Sequence, residues 1–425
     1  MEKKSCNIGF VSTRFAGNDG VSLETKKWQQ VLQQSGYACF FFGGECEEID
    51  RDCSYLVPEA HFKHPEIHDI YQIGFSSPVR PADMTNHIQR LKDHLKQHLY
   101  IFTQQFDIQL LIPENVLAIP LNIPLGVALT EFIAETGMPV IAHHHDFFWE
   151  RKRFLSNCVW DYLNMAFPPH LPSVRHVVIN SSASNQLSLR TGISAMLIPN
   201  VMDFDHPPLP ADEYTDSLRS DMGIASDEYF FLQPTRVVQR KGIEHAIELI
   251  QQLNGKARLV ISHASGDEGH DYEQRVRNYA ELLQVPTNFV TEIIRDQRSI
   301  LADGRKVYTL WDAYQCADLV TYPSEIEGFG NAFLEAIYFH KPILVNNYSI
   351  FAIDIKPKGF HVVEFDGYIT DQTVWFVQRL LDDPNLVQEL TEYNYQLARR
   401  HYSYSMLERR LQTLLMECFG EDQCG

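Results

Sequence analysis

A proline-rich segment divides the sequence, and strand and helix patterns alternate on both sides of it. Residues Pro199–Tyr214 read PNVMDFDHPPLPADEY, with four prolines between positions 199 and 210. Prolines at this density interrupt helices and sheets, so the segment predicts a linker. A chain of 425 residues also exceeds what one hydrophobic core usually serves. We therefore expect domains at residues 1–200 and 201–400, followed by a C-terminal helix within 401–425.

Short apolar runs alternate with helical patterns in each half. The expected strands are Asn7–Ser12, Ala38–Phe42, Ile108–Ile112, Met138–Ala142, Arg175–Asn180, Tyr229–Pro234, Ala257–Ser262, Asn288–Thr291, Leu319–Tyr322 and Pro342–Val345. This alternation predicts an α/β fold with two Rossmann-like, doubly wound parallel sheets facing each other across a cleft. Residues 58–85, rich in proline, histidine and acidic side chains, are expected to be irregular.

Charge and composition disfavour several classes of binding partner for this chain. The formal net charge of −19 disfavours nucleic acid and anionic membranes. The sequence contains no run of about 18 apolar residues, so we expect no membrane-spanning helix. The N-terminus is a poor match to a signal peptide. The eight cysteines include no Cys-x-x-Cys pair and are expected to be reduced, which predicts a cytoplasmic protein.

The loop after the first expected strand carries Arg14, Asp19 and Gly20. Glycines at this position allow backbone amides to approach a phosphate or a sugar at a helix N-terminus. The spacing is not Gly-x-Gly-x-x-Gly, so a dinucleotide fingerprint is absent. An ordinary strand-to-helix turn would use glycines as well, and this loop alone is a weak signal.

The stretch His143-His144-His145-Asp146 directly follows the expected strand Met138–Ala142. Side chains alternate faces along an extended chain, so only His143 and His145 can share a face. A zinc site would need further ligands from elsewhere. For an isolated tripeptide, a polar loop is the simpler interpretation, but the end of a strand favours a functional site.

Arg236, Arg240 and Lys241 cluster between an expected strand and the helix that follows it. Cations at the positive end of a helix are unfavourable unless an anion lies there too. Arginine offers a fork for phosphate oxygens and lysine a point charge, which suits a diphosphate.

The stretch SEIEGFGNAFLEA places Glu327 and Glu335 eight residues apart, with Gly-Phe-Gly after the first. On one helix the two carboxylates would point roughly 80° apart. We expect Glu327 on a loop and Glu335 on a helix that begins near Ala332, with Asn331 as its N-cap. Each carboxylate could then bind a different part of one extended, polyhydroxylated ligand.

These motifs together resemble the family 4 retaining, nucleotide-sugar-dependent glycosyltransferases of GT-B architecture. The resemblance rests on Glu327-x₇-Glu335, Arg236 with Lys241-Gly242, the loop Asp19–Ser22, His145-Asp146 and Ile198–Asn200, which occur in the expected order. It covers most of the chain and implies that the last helix packs back on the first domain. No metal or other cofactor is expected, and Asp203-Phe204-Asp205 in the linker is interpreted as structural.

The resemblance also implies roles for individual residues. Arg236 and Lys241 would hold the donor diphosphate, with Gly20 near it, and Glu335 the ribose. Glu327 and the amides around Phe329, Gly330 and Asn331 would hold the transferred sugar, which His145 would contact near the reacting carbon. Catalysis would come mainly from stabilising the departing nucleoside diphosphate, without a carboxylate nucleophile.

The first domain is expected to bind a small, soluble and acidic acceptor, such as a sugar phosphate or a glycosylglycerate. The candidate acceptor residues are Arg14, Asp19, Asn115, Asp146, Arg151 and Arg153. The donor could be UDP-, GDP- or ADP-linked glucose or mannose, and segments 262–271 and 290–307 are candidates for base selection.

Other activities share this two-domain fold and stay open on sequence alone. They are a nucleotide-sugar 2-epimerase, a glycan phosphorylase, a lipid- or glycan-directed glycosyltransferase and a non-catalytic sensor of nucleotide sugars. An epimerase would release nucleoside diphosphate without an acceptor, and a phosphorylase would need a lysine for pyridoxal phosphate.

Overall fold

A computed structural model of the protein describes residues 6–17, 19–47, 49–254, 256–265 and 269–420. Part of the segment 262–271 therefore lies outside the described residues. The chain forms two compact units. The first comprises residues 1–201 together with 404–425, and the second comprises residues 202–403. The chain therefore returns to its first unit at its C-terminal end.

The first unit is a seven-stranded parallel sheet with helices on both faces. Its strands are β1 (Asn7–Val11), β2 (Ala38–Gly43), β3 (Ser54–Leu56), β4 (Ile108–Pro113), β5 (Val140–His144), β6 (Val174–Val178) and β7 (Ala195–Leu197), in the order β3-β2-β1-β4-β5-β6-β7. Its helices are α1 (Gly20–Gln34), α2 (Pro65–Ser76), α3 (Ala82–Gln105), α4 (Ile123–Thr136), α5 (Trp160–Ala166), α6 (Ser181–Thr191) and α14 (Tyr404–Phe419).

The faces of this sheet are covered by different helices. On one face, Trp28 of α1 and Leu411 of α14 belong to the same buried cluster as Phe10 of β1. On the other, Leu95 of α3 and Leu129 of α4 pack with residues of β1, β2 and β4. Strands buried on both faces explain the nearly continuous apolar runs in the sequence. Helix α14 is therefore a part of the first core, as the family resemblance implied.

The second unit is a six-stranded parallel sheet with an added two-stranded ribbon. Its strands are β8 (Tyr229–Gln233), β9 (Ala257–Ile261), β10 (Thr287–Phe289), β13 (Leu319–Tyr322), β14 (Ile343–Asn346) and β15 (Val363–Phe365), in the order β10-β9-β8-β13-β14-β15, and the ribbon pairs β11 (Ser299–Ile300) with β12 (Lys306–Val307). Its helices are α7 (Leu218–Asp221), α8 (Ile243–Gln252), α9 (Asp271–Leu282), α10 (Leu310–Cys316), α11 (Asn331–Tyr338), α12 (Asp371–Asp382) and α13 (Pro384–Tyr402).

Strand order reverses once in each sheet. In the first sheet the chain proceeds outwards from β1 in one direction and from β4 in the other, and in the second from β8 and from β13. Ligands of doubly wound sheets bind beyond the carboxyl ends of the strands at this switch point. The candidate residues near Arg14 and Asn115 follow β1 and β4, and those near Arg236 and Glu327 follow β8 and β13.

The expected α/β architecture is confirmed, and two local expectations are wrong. Residues 58–85 are not irregular throughout, because α2 occupies Pro65–Ser76, with Pro65 in its first turn, where proline is tolerated. Strand β5 begins at Val140, after Pro139, and extends through His144, so only His145 follows it. Among the described residues, no helix combines the length and the apolar character needed to cross a membrane.

Candidate active site

Lys241 and Glu327 form a buried ion pair at the switch point of the second sheet. Lys241 lies in a short turn after β8, and its ammonium contacts a carboxylate oxygen of Glu327, in the loop after β13. Both side chains are 10% exposed. Burial alone would raise the pKa of Glu327, but the Lys241 ammonium outweighs it and the net pKa is lowered. The carboxylate therefore stays charged and holds Lys241 beside the N-terminus of α8.

More positive charge surrounds this pair than Glu327 can balance. Arg240 lies 3.5 Å from the second carboxylate oxygen of Glu327. Arg236 is exposed, and no carboxylate in the described ranges lies within ion-pair distance of it. His263 follows the adjacent strand β9. Burial lowers its pKa, and the nearby Arg236 and Lys241 lower it further. A surplus of cations at a helix N-terminus is suited to binding an anion.

The turn before α8 depends on a glycine. Gly242 adopts a left-handed φ of 57°. A Cβ atom at this position would lie 2.6 Å from the carbonyl oxygen of Pro323, which precedes the loop of Glu327. The absence of a side chain therefore allows the loops after β8 and β13 to approach closely.

Glu335 lies in α11, and Glu327 lies on the preceding loop, as the spacing predicted. The hydroxyl of the buried Tyr314 donates a 2.7 Å hydrogen bond to Oε2 of Glu335. The expected N-cap is wrong: Gly330 caps the helix with φ 118°, and Asn331 is already its first residue. A left-handed residue is required here, and asparagine accepts that conformation less readily than glycine.

Replacing Gly330 by alanine is expected to lower the free energy of unfolding by about 2–4 kcal/mol, through backbone strain and a steric clash. A Cβ atom would lie 2.6 Å from the Tyr348 hydroxyl. Gly367, at φ 75°, has open space around its Cβ position, so Gly367→Ala supplies the strain alone. Urea unfolding of both variants measures the difference, and equal losses would contradict a packing role for Gly330.

In the first unit, a hydrogen-bonded chain joins most of the residues that follow β4 and β5. Asn115, at φ 58°, accepts a hydrogen bond from the backbone N–H of His145 at 3.1 Å. Its amide donates to Asp146 at 2.9 Å, and Asp146 pairs with Arg151. Four of the expected acceptor and sugar residues therefore form one network. Arg153 does not join it, and its guanidinium lies over the Phe154 ring, 4.7 Å from the ring centroid.

Arg14 and Asp19 form a second group on the loop after β1. Arg14 pairs with Asp19 at 3.1 Å. The same carboxylate caps α1, accepting hydrogen bonds from the amides of Val21 and Ser22 at 3.1 Å each. Gly20 is the first residue of the helix, and a Cβ atom there would meet nothing within 4 Å. The loop thus places an arginine beside a helix N-terminus that Asp19 caps.

Sequence reasoning gave no role to two side chains within these groups, namely Glu114, which contacts His145, and Tyr314, which contacts Glu335. It considered His143 only as a possible zinc ligand beside His145, whereas in the structure Nδ1 of His143 lies 2.9 Å from Oε2 of Glu114. The sequence does contain a signal for Glu114, because this carboxylate directly follows the apolar strand Ile108–Pro113. Carboxylates are rarely buried unless they have a partner. Tyr314 lies inside an amphipathic helix and carries no comparable signal.

Comparison with known proteins identifies relatives over nearly the whole chain. Residues 215–397 match the family model of glycosyl transferases group 1. A mannosylglucosylglycerate synthase of Thermotoga maritima is 31% identical, over 94% of this chain and 97% of that protein. A mannosylglucosylglycerate synthase of Petrotoga mobilis is also 31% identical, over 84% and 86% of the two chains.

Solved structures of glycosyltransferases share the fold. A glycosyltransferase from Rickettsia africae superimposes with a TM-score of 0.70 at 12% identity, over 98% of this chain and 100% of the other. Anabaena HepE, solved in complex with UDP-glucose, gives 0.63 at 12% identity, over 97% and 99%. The chain belongs to the group 1 glycosyltransferases, and it is a nucleotide-sugar-dependent hexosyltransferase with the GT-B fold. Family membership favours glycosyl transfer over the epimerase and phosphorylase alternatives.

Proposed function

We propose that the enzyme transfers a hexosyl residue, with retention, from a nucleoside-diphosphate sugar to a hydroxyl of a small glycerate-type acceptor. Mannose as the sugar and a glucosylglycerate as the acceptor are the first pair to test, because both closely related synthases are named for a mannosylglucosylglycerate product. The observation that carries the donor half is the cationic group of Arg236, Arg240 and Lys241, which exceeds the charge of Glu327.

We assign the donor diphosphate to Arg236 and Lys241, and we also assign to it Gly20, the first residue of α1 in the first unit. Fixed cations that face the departing diphosphate stabilise the charge developing on it and need no reorganisation. The buried Lys241 is already oriented by Glu327. We assign Glu335 to the ribose, because it lies on α11 directly after the loop of Glu327 and Tyr314 fixes its carboxylate. Glu327 and the backbone around Phe329, Gly330 and Asn331 are assigned to the transferred sugar.

We assign the acceptor to Arg14, Asp19, Asn115, Asp146 and Arg151, and the transferred sugar also to His145. Arg14 and Arg151 each pair with one carboxylate, yet both retain guanidinium N–H groups that a glycerate carboxylate could engage. Arg153, which lies on the Phe154 ring, is the least supported member of this set.

The proposal includes no metal requirement and places the enzyme in the cytoplasm. Arginine and lysine supply the charge that a metal would otherwise bring to the diphosphate. The described chain contains several free thiols, which suit a reducing compartment. These are Cys39, Cys46, Cys53, Cys158 and Cys316.

The deciding experiment incubates the enzyme with GDP-mannose or UDP-glucose, with and without glucosylglycerate or glycerate, in the presence of a chelator. The expected result is release of one nucleoside diphosphate only when both donor and acceptor are present, with an α-linked product by NMR. Nucleotide release that ignores the acceptor would contradict the proposal and favour epimerisation. Transfer that needs an added divalent ion would contradict the metal-free part alone.

Glu335→Gln is expected to weaken binding of the correct nucleoside diphosphate about tenfold, because a charged acceptor of the ribose hydroxyls is lost. Tyr314→Phe should weaken it less, since Tyr314 only holds Glu335 in place. The control is Tyr279→Phe, which removes a similar 3.0 Å bond to Glu248 on α8. Calorimetric titration with ribose and dideoxyribose nucleotides tests the assignment. If the variant weakens both nucleotides equally, Glu335 does not bind the ribose.

A further inference from the structure

Glu114 is a fully buried carboxylate in contact with His145. The proposed function gives it no role. Glu114 follows β4 directly, and its backbone pairs with that of His143 at the end of β5. The carboxylate oxygen Oε2 lies 2.9 Å from Nδ1 of His143 and 3.4 Å from Nε2 of His145. Its other oxygen, Oε1, is buried without a hydrogen-bond partner.

We propose that Glu114 is a positioning residue for the glycosyl transfer. It fixes the His145 ring through Nε2, so that Nδ1 of His145 is the ring nitrogen that meets a substrate hydroxyl. The inference rests on the proposed function in one respect, namely that His145 contacts a substrate sugar. The further inference adds Glu114 as the group that sets the orientation and the protonation of the His145 ring.

The surroundings of Glu114 leave the ring of His145 little freedom. His143 packs between Trp28 and His145, with ring centroids 4.1 Å and 4.4 Å away. Burial lowers the pKa of His143 to about 4, so this ring is neutral at neutral pH. A neutral His143 that contacts a carboxylate must carry its proton on Nδ1 and donate it to Glu114. His143 therefore anchors Oε2 of Glu114, the same oxygen that contacts His145.

Burial and charge act in opposite directions on Glu114 and His145. Burial, together with the nearby Glu24, raises the pKa of Glu114 to about 7, although the bond to His145 opposes the shift. Burial and His143 lower the pKa of His145, and Glu114 and Asp146 oppose this. The charge of each side chain therefore affects the other across their 3.4 Å contact.

A metal ion is the alternative occupant of this cluster, because one ligand atom from each of Glu114, His143 and His145 lies within 4.8 Å of the others. Zinc in proteins takes a fourth protein ligand or keeps an open position for water. In the described ranges the cluster offers three ligands, and Glu114 and His143 are at most 1% exposed. The 2.9 Å contact between Glu114 and His143 is a normal hydrogen bond. A direct hydrogen bond therefore accounts for the contact between Glu114 and His143.

Glu114→Gln keeps the shape of the side chain and removes its charge. We expect kcat to fall about 100-fold at saturating substrates, the lower range for loss of acid–base assistance, with the donor KM within about threefold of wild type. The melting temperature at pH 8 should not fall, because the variant no longer buries a charge. Glu131→Gln, which alters a half-buried carboxylate bonded to Lys92 and Lys96 on another face, is the control.

The double variant Glu114→Gln/His145→Gln separates a positioning role from a purely structural one. If Glu114 acts through His145, the double variant is no slower than His145→Gln alone. Additive losses, or a kcat of Glu114→Gln equal to that of wild type, would overturn the proposal. So would a stoichiometric metal in the purified wild type, measured by mass spectrometry, that Glu114→Gln abolishes. A wild type that transfers no sugar would instead refute the proposed function, so the two failures are distinguishable.

Discussion

Lys241→Met is expected to reduce both activity and stability strongly. The variant removes a cation from the proposed diphosphate site, and we expect kcat/KM to fall about 1,000-fold, or about 4 kcal/mol of transition-state stabilisation. It also removes the buried partner of Glu327 and leaves the longer 3.5 Å contact to the half-exposed Arg240. Breaking a buried pair by removing one partner costs about 3–5 kcal/mol of unfolding free energy. Steady-state kinetics and urea unfolding measure the two losses independently.

A second substitution separates these two effects. Lys241→Met/Glu327→Gln also removes the buried charge that has lost its main partner, so most of the lost stability should return, while activity stays low. Lys92→Met is the control, since Lys92 is another buried lysine whose partners, Asp93 and Glu131, are much more exposed than Glu327. It should cost less stability and leave kcat/KM unchanged. A Lys241→Met variant with a third or more of the wild-type kcat/KM would contradict the diphosphate assignment.

The sequence predicts the two sheets well because both are parallel and buried on both faces. Such strands produce short, continuous apolar runs between helices, and the strand Leu319–Tyr322 coincides with its expected bounds. The separation of Glu327 and Glu335 between a loop and a helix was also predictable, since Gly328 and Gly330 interrupt any helix joining them. The position of motifs at the ends of strands followed from the same alternation.

The sequence does not predict contacts that depend on which strands become neighbours. Glu114 and His143 are 29 residues apart, and they meet because β4 and β5 are adjacent in the first sheet. Tyr314 of α10 contacts Glu335 of α11, and this contact likewise depends on which elements become neighbours. The C-terminal end of β5 was also not predictable, because histidines rarely continue a buried strand. His143 and His144 do so here because each has a buried hydrogen-bond partner, Glu114 for the first and His176 for the second.

Lys241 and Arg236 differ in burial, so we expect their replacement to affect stability differently. Lys241 is buried and its position is fixed by Glu327, so the fold itself depends on it. Arg236 is exposed, and the described part of the chain offers it no carboxylate at ion-pair distance. An arginine held near other cations without a counter-ion weakens the fold slightly by repulsion. We therefore propose that a ligand anion, the donor diphosphate, supplies the counter-charge for Arg236.

Arg236→Gln is accordingly expected to leave the free energy of unfolding within about 0.5 kcal/mol of wild type, while kcat/KM falls on the order of 10²–10³-fold. The affinity for the nucleoside diphosphate should fall with it, whereas the affinity for the free nucleoside should not, because only the phosphates are contacted. The salt dependence of diphosphate binding should also weaken.

Arg379→Gln provides the matched control for Arg236→Gln. Arg379 lies on α12 of the same unit, where its guanidinium stacks on the exposed Trp375 at 5.6 Å from the ring centroid. This variant should change neither stability nor diphosphate affinity. Calorimetric titrations of both variants with diphosphate, monophosphate and nucleoside would localise the lost contact. If Arg236→Gln binds diphosphate as wild type does, the surplus charge beside Glu327 has another purpose, and Arg240 becomes the first residue to replace.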